Sequence, residues 1–325
     1  MDFRFTEDQQ DLIDAAKAVF DGENTSERMR AIVKGEAVSD IWGQMGELGL
    51  FGLMAPESAG GLEQPLVVMA GVAEAAGYAN LPEPFVELAG IAIPLLQQMG
   101  EANALEQAAL GKLPVGVISP LQAYNNQAEH CAKFIVTTES GGKLVDKADV
   151  TLEARASVDP LRSIWKANAS GDHNALANHY GAVLTAAQLV GLSARMVDMS
   201  VDYAKDRQQF GKPIGSFQAI KHHLASVYTQ IEFTRPMVHL AALQGGRAVH
   251  TAKIAAIDTA IFAAETAVQV HGGMGYTFEV DLHLFMKRAW ALANEWGSRN
   301  YHMKKLETLI LDGGLPIGSG TTFAA

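Results

Sequence analysis

Apolar residues recur along this chain at steps of three and four, the spacing of one face of an α-helix. In residues 7–20 they are Leu12, Ala15, Ala16, Val19 and Phe20, and Thr6 with Gln9 supplies a capping pair at the start. A second apolar-rich run, from Ile41 to Leu50, precedes the turn-forming stretch Pro56-Glu57-Ser58-Ala59-Gly60-Gly61-Leu62. Further helices are predicted over residues 66–78, ending near Gly77, and over residues 82–100 around Pro94. Residues 1–112 therefore read as an all-helical domain.

The period changes between residues 113 and 171. Pro114-Val115-Gly116-Val117-Ile118 and Lys133-Phe134-Ile135-Val136-Thr137-Thr138 favour strands, and Gly141-Gly142 offers a turn before Lys143-Leu144-Val145. This predicts a small β insert. The helical period then returns: Leu189, Leu192, Met196, Met199 and Tyr203 mark a helix from residue 182, which Phe210-Gly211 and Pro213 are expected to stop through a left-handed cap. Ile220, Leu224, Val227 and Ile231 mark the next, with Pro236 expected to kink or break it. A third is predicted over residues 252–270 and a fourth over 282–309, interrupted at Gly297. The expected fold is mainly α, with an N-terminal helical domain (1–112), a reduced β insert (113–171) and a C-terminal four-helix bundle (172–312). Residues 313–325, rich in Gly, Ser and Thr, are expected to form a flexible tail.

Composition narrows the function. A chain of 325 residues, with 48% AVILMFWYC and 19% charged residues, can build a sizeable globular core. Its net charge of −11 gives no broad positive field, which disfavours general binding to nucleic acid or to a membrane surface. Gly90 and Pro94 interrupt the greasiest stretch, so no apolar run reaches the ~20 residues of a membrane span. Met1 to Phe5 lacks the basic-then-apolar order of a secretory signal. Cys131 is the single cysteine and forms no internal disulfide, which suits a reducing cytoplasm. No Cys/His spacing fits zinc.

Two segments carry candidate chemistry. Asp206-Arg207-Gln208-Gln209-Phe210-Gly211-Lys212 puts a guanidinium one turn before the expected helix end. Such a planar fork gives a pyrophosphate bidentate, charge-assisted bonds of roughly 1.5–3 kcal/mol each. The plainer reading is a cation that complements the helix C-terminus. The second segment, Gln269-Val270-His271-Gly272-Gly273-Met274-Gly275-Tyr276, is poor in side chains, so its backbone can approach a flat ring or a phosphate closely. Read singly it is a helix stop, and His271 is a hydrogen-bonded core residue.

Taken in order, FxxTEDQ from Phe3, then LGLFGLMAPESAGGLEQP, DRQQFGKPIGSFQAIKH and AVQVHGGMGYT closely resemble the acyl-CoA dehydrogenases over residues 1–100 and 180–305. The resemblance implies an oxidoreductase that uses FAD to desaturate an acyl-CoA thioester between its α- and β-carbons. It implies that Arg207, Phe210 and Gln218 reach an FAD held mainly by a neighbouring subunit, with Gln209, Ile214 and Phe217 along the same path. Gln269, Gly272 and Gly273 are implied to reach across as well. The protein is then an oligomer, and its electrons pass to an electron-transfer flavoprotein.

The chain departs from the family pattern at its own site. The middle domain is short and lacks the TEPxxGSD loop and the W-[ST]-T strand; only Asp159-Pro160-Leu161-Arg162 resembles its trailing part. The family's proton-abstracting glutamate falls on Trp296, with Glu295 one residue early, and the alternative position falls on Gly181. The CoA-directed arginine falls on Ala182. A one-residue shift swings a helical side chain by about 100°, so Glu295 is a candidate base only after local rearrangement. The asymmetry resembles the short subunit of heteromeric α2β2 enzymes of bacterial steroid side-chain degradation, where a full-length partner supplies flavin contacts and base. Two alternatives stay open: a self-sufficient homo-oligomer that uses Glu295, and a non-catalytic scaffold with the same fold.

Overall fold

The computed structural model describes residues 4–122 and 124–312; the expected tail at 313–325 lies outside them. α1 (Glu7–Glu23) starts on the expected capping box, in which the Thr6 hydroxyl accepts from the Gln9 backbone and the Gln9 side chain accepts from the Thr6 N–H. α2 (Ser26–Lys34), α3 (Ile41–Glu47) and α4 (Leu66–Tyr78) follow. α5 (Phe85–Glu87) passes through a π-helical turn, Leu88–Ala92, into α6 (Ile93–Met99), and the widened turn accommodates Pro94, which has no N–H for the α ladder. α7 (Ala102–Ala109) closes the N-terminal part.

Two small sheets form the insert. In the first, β3 (Lys133–Thr138) pairs parallel with β1 (Val115–Ile118) and antiparallel with β4 (Gly141–Asp146). The turn falls on Glu139-Ser140, one step before the predicted Gly141-Gly142. Those glycines open β4 instead, where a side chain at Gly142 would stand 2.6 Å from Ile135. The second sheet orders β2 (Asn125–Asn126), β6 (Ile164–Ala167) and β5 (Leu152–Arg155).

The bundle consists of α8 (Ala175–Asp206), α9 (Gln218–Gln244), α10 (Arg247–His271) and a split fourth member, α11 (Leu282–Leu292) and α12 (Arg299–Glu307). α8 begins seven residues before the predicted start because Asn174 caps it, its side chain accepting from the Ala177 N–H. It ends at Asp206 rather than at Phe210. Phe210 (φ 52°) and Gly211 (φ 78°) are both left-handed, and a pair of such residues makes a tight hairpin turn between β7 (Gln208–Gln209) and β8 (Lys212–Pro213), not a helix cap. Pro236 does not break α9; it lies on the exposed side, where water can take the carbonyl it leaves unbonded.

α8 is the spine of the molecule: Leu184, Leu189, Val190, Leu192 and Met196 are fully buried. By length and composition it could cross a membrane, contrary to the sequence expectation, but 72% of that stretch is buried inside the protein. α4 crosses it at glycines on both sides. A Cβ on Gly77 would stand 2.2 Å from the Gln188 carbonyl oxygen, and one on Gly191 would stand 2.0 Å from that of Glu74.

Candidate cofactor cleft

The ends of α8 and α10 lie side by side and enclose a cleft of about 440 Å³. On the α8 side, Arg207 is the first residue beyond the helix. Its N–H still donates to the Tyr203 carbonyl at 2.9 Å, and its own carbonyl accepts from Ile214 at 2.8 Å after the hairpin has turned back. The Arg207 side chain is exposed and makes no hydrogen bond or ion pair with any described residue. A guanidinium with its donors free, on a backbone held at both N–H and carbonyl, is a ready anion site.

On the α10 side, three glycines have three different reasons. Gly275 is dictated by packing, because a Cβ would stand 3.0 Å from the Val268 backbone. Gly272 is dictated by its positive φ of 59°. Gly273 has no left-handed φ, and a Cβ there would meet nothing within 4 Å. Its missing side chain serves no contact inside the chain.

Of the residues singled out from the sequence, Arg207, Gln209, Ile214, Gly272 and Gly273 line this cleft. Phe210 is 90% exposed at the hairpin tip and Phe217 lies beside it at 6.0 Å, with the Lys212 ammonium over its ring. Gln218 begins α9 and Gln269 is exposed in the last turn of α10, both outside the cleft wall. Tyr203, Val270, His271, Met274 and Thr277 complete the lining; Val270, His271 and Met274 belong to the glycine-rich segment singled out from the sequence, whereas Tyr203 and Thr277 were missed. Tyr203 carried a usable signal, since it stands four residues before Arg207 on one helical face.

Glu295 lies elsewhere, in a crevice of about 510 Å³ between the insert and the α11–α12 junction. Its carboxylate accepts from Arg162 Nη1 at 2.7 Å and from Gln122 at 3.4 Å, and Arg162 also faces Glu87 at 3.5 Å. The oxygens that a base would need free are thus engaged by a buried guanidinium and an amide. Behind it, Trp296 is 2% exposed and its indole covers Gly181, where a Cβ would stand 2.1 Å from the ring. The two positions at which the family places a base thus fill each other's space. The enclosed gap beside Trp296 is about 20 Å³, room for one water. Cys131 borders this gap, and burial pushes its thiol up to about 12, so it stays a neutral thiol.

Trp296 holds a strained backbone (φ 53°) that its neighbours fix from several sides. Its N–H donates to Leu121 O at 2.8 Å and its carbonyl accepts from His302 Nε2 at 3.0 Å. A carbonyl only accepts, so His302 Nδ1 carries the lone pair and accepts from His250 Nδ1 at 2.8 Å. Fully buried Lys253 donates to Leu292 O at 3.0 Å, the end of α11; burial pushes its ammonium down to about 7, against the pull of Glu295.

Comparison with known proteins identifies the architecture. The N-terminal domain of acyl-CoA dehydrogenase matches residues 6–112, and the C-terminal domain of acyl-CoA dehydrogenase matches residues 176–308. The chain belongs to the acyl-CoA dehydrogenase family. It is similar to acyl-CoA dehydrogenase IpdE2 of Mycolicibacterium smegmatis, at 30% identity over 94% of this chain and 99% of that relative. Its fold is shared with the ChsE4-ChsE5 complex from Mycobacterium tuberculosis, at a TM-score of 0.85 and 24% identity over 98% of this chain and all of the other. A Tcur3481-Tcur3483 steroid ACAD variant also shares it, at 0.82 and 22% over 95% and 99%. The FAD complex of PigA shares the fold as well, at a TM-score of 0.81 and 18% identity over 94% of this chain and 98% of the other. The cleft fits FAD: a free guanidinium suits a pyrophosphate, and Gly273 leaves backbone bare where a ligand would approach.

Proposed function

We propose that this chain is the short subunit of a heteromeric α2β2 acyl-CoA dehydrogenase, and that it holds part of an FAD whose reacting ring lies in a full-length partner. The reading is carried by one observation: free Arg207 and bare Gly273 share a cleft far from the chain's own base positions. From Gly181 to Arg207 the distance is roughly 39 Å along α8, at about 1.5 Å per residue. That is beyond the reach of one dinucleotide, so a cofactor resting on Arg207 serves a reacting centre other than the one at Gly181 and Trp296.

When bound, FAD would supply a hydride acceptor for the β-carbon of an acyl-CoA whose α-proton a base removes, the chemistry that gives a trans-2-enoyl thioester. In this reading Arg207 neutralises and orients the pyrophosphate, and Gly272 and Gly273 admit it to backbone distance. Trp296 denies an acyl chain room at this chain's own site, and Glu295 serves as the counter-ion of Arg162. The partner supplies the base, and an electron-transfer flavoprotein takes the electrons. Two of the fold neighbours, ChsE4-ChsE5 and Tcur3481-Tcur3483, are pairs of proteins, which supports a heteromeric assembly.

The test is to purify the chain alone and with the product of its neighbouring gene. The assembly is expected to carry one FAD per pair of unlike chains, and Arg207→Met to weaken FAD retention by about 10–100-fold, the loss of one or two charge-assisted bonds. Stoichiometric FAD with full turnover by this chain alone would overturn the proposal.

A further inference from the structure

The cleft wall holds one buried polar side chain that the reading above leaves unused. His271 closes α10 and is 3% exposed. Its Nδ1 lies 2.8 Å from the Ala267 carbonyl, which only accepts, so Nδ1 carries the proton and Nε2 presents a lone pair. No described residue bonds to Nε2. The ring lines the cleft beside Gly272 and Gly273 and lies face to face with Tyr203, with centroids 4.4 Å apart and planes at 25°. The Tyr203 carbonyl in turn holds the Arg207 N–H. One stacked pair therefore ties the helix that ends in the guanidinium to the helix that ends in the glycines. Burial pushes the His271 imidazole below its ordinary range, against the pull of the Ala267 bond, which keeps the ring neutral and its outer nitrogen an acceptor.

An acceptor in a wall that also offers a guanidinium selects a ligand with an anion at one end and a hydrogen-bond donor at the other. We propose that His271 determines nucleotide specificity in this cleft, accepting at Nε2 a hydrogen bond from a hydroxyl or amino group of a nucleotide whose phosphates rest on Arg207. The proposal rests on the cofactor reading and deepens it. Tyr203 acts as the positioning residue, since its ring fixes the plane in which the lone pair points.

The experiment measures binding of ADP, inosine diphosphate and 2′,3′-dideoxy-ADP to the full chain by calorimetry, for wild type, Arg207→Met and His271→Phe. Phenylalanine keeps a flat ring against Tyr203 and removes the acceptor. Arg207→Met is expected to weaken all three ligands, and His271→Phe to weaken ADP by about 10-fold, the loss of one hydrogen bond. The analogue that lacks the recognised donor, amino for inosine diphosphate or hydroxyl for the dideoxy compound, is expected to bind wild type and His271→Phe equally. If Arg207→Met weakens ADP while His271→Phe binds it as wild type does, the inference fails and the cofactor reading stands. It also fails if both analogues lose as much affinity in His271→Phe as in wild type. If Arg207→Met changes nothing, or wild type takes no ADP, the cofactor reading fails and the inference with it. Should His271→Phe not fold, 15N-labelled histidine in the wild type reports on the same atom: saturating ADP is expected to move the His271 Nε2 resonance toward its hydrogen-bonded position, and an unmoved signal overturns the inference.

Discussion

At position 273 the chain gives up a side chain without gaining a contact, whereas at position 296 it places its largest side chain where the family needs a carboxylate. The first is a prediction about ligand and stability together. Because a Cβ on Gly273 would meet nothing within 4 Å and its φ is ordinary, Gly273→Val is expected to change the unfolding free energy by no more than about 0.5 kcal/mol. Denaturant titration checks that half. The flavin absorbance of the purified assembly, expected to fall, checks the other. Arg207 was legible as an anion-binding candidate from its own residue type and from the glycine after it. The commitment of Glu295 was not, because its partner Arg162 stands 133 residues away and nothing in the spacing announces the pair. The role of His271 was hidden for a related reason. The local helix sets its Nδ1 bond to Ala267, but only the neighbouring helix brings Tyr203 against the ring.

Elements were readable where one local rule decides them, and misread where two compete. The capping box at Thr6 fixed the start of α1, the apolar run of residues 66–78 fixed α4, and the β-favouring run fixed β3. The end of α8 was misplaced because Phe210-Gly211 satisfies a helix stop and a hairpin turn equally well in sequence. What separates the two is whether the next residues pair, which depends on Gln209 meeting Lys212. Glycines in helices show the same division. Gly22 of α1 would meet nothing within 4 Å as alanine, so Gly22→Ala is expected to stabilise the chain by about 0.4–1 kcal/mol through the unfolded state. Gly191 of α8 would drive a Cβ to 2.0 Å from the Glu74 carbonyl oxygen, so Gly191→Ala is expected to destabilise by about 1–3 kcal/mol. Thermal or urea unfolding of the two variants should move in opposite directions. Sequence alone treats the two glycines alike.

Over the whole molecule, ion pairs bind the three parts together: Arg288 of the bundle pairs with Asp159 of the insert, and Arg162 of the insert links Glu87 to Glu295. Buried bases add a pH dependence. Burial first, then Lys253, push His302 down to about 3, and burial first, then Arg235, push His239 down to about 4. Both lie below the unfolded value of about 6.5. Between these limits the unfolded chain binds more protons, so the share of stability that depends on these two histidines is complete above about pH 6.5 and is lost as pH falls toward 4, by at most about 1.4 kcal/mol per unit for each group. Urea unfolding from pH 8 to 4 is expected to show this slope, and His302→Gln to flatten it. By itself the sequence determined the helical class, the strand-rich insert and the two segments that supply the cleft wall, because hydrophobic period, turn residues and short motifs act within a few positions. Tertiary structure alone decided that α8 and α10 end together, that Trp296 closes over Gly181, and that Glu295 belongs to Arg162. Those facts depend on how close helices approach across a shared core, and that distance is set by side chains scattered along the entire chain.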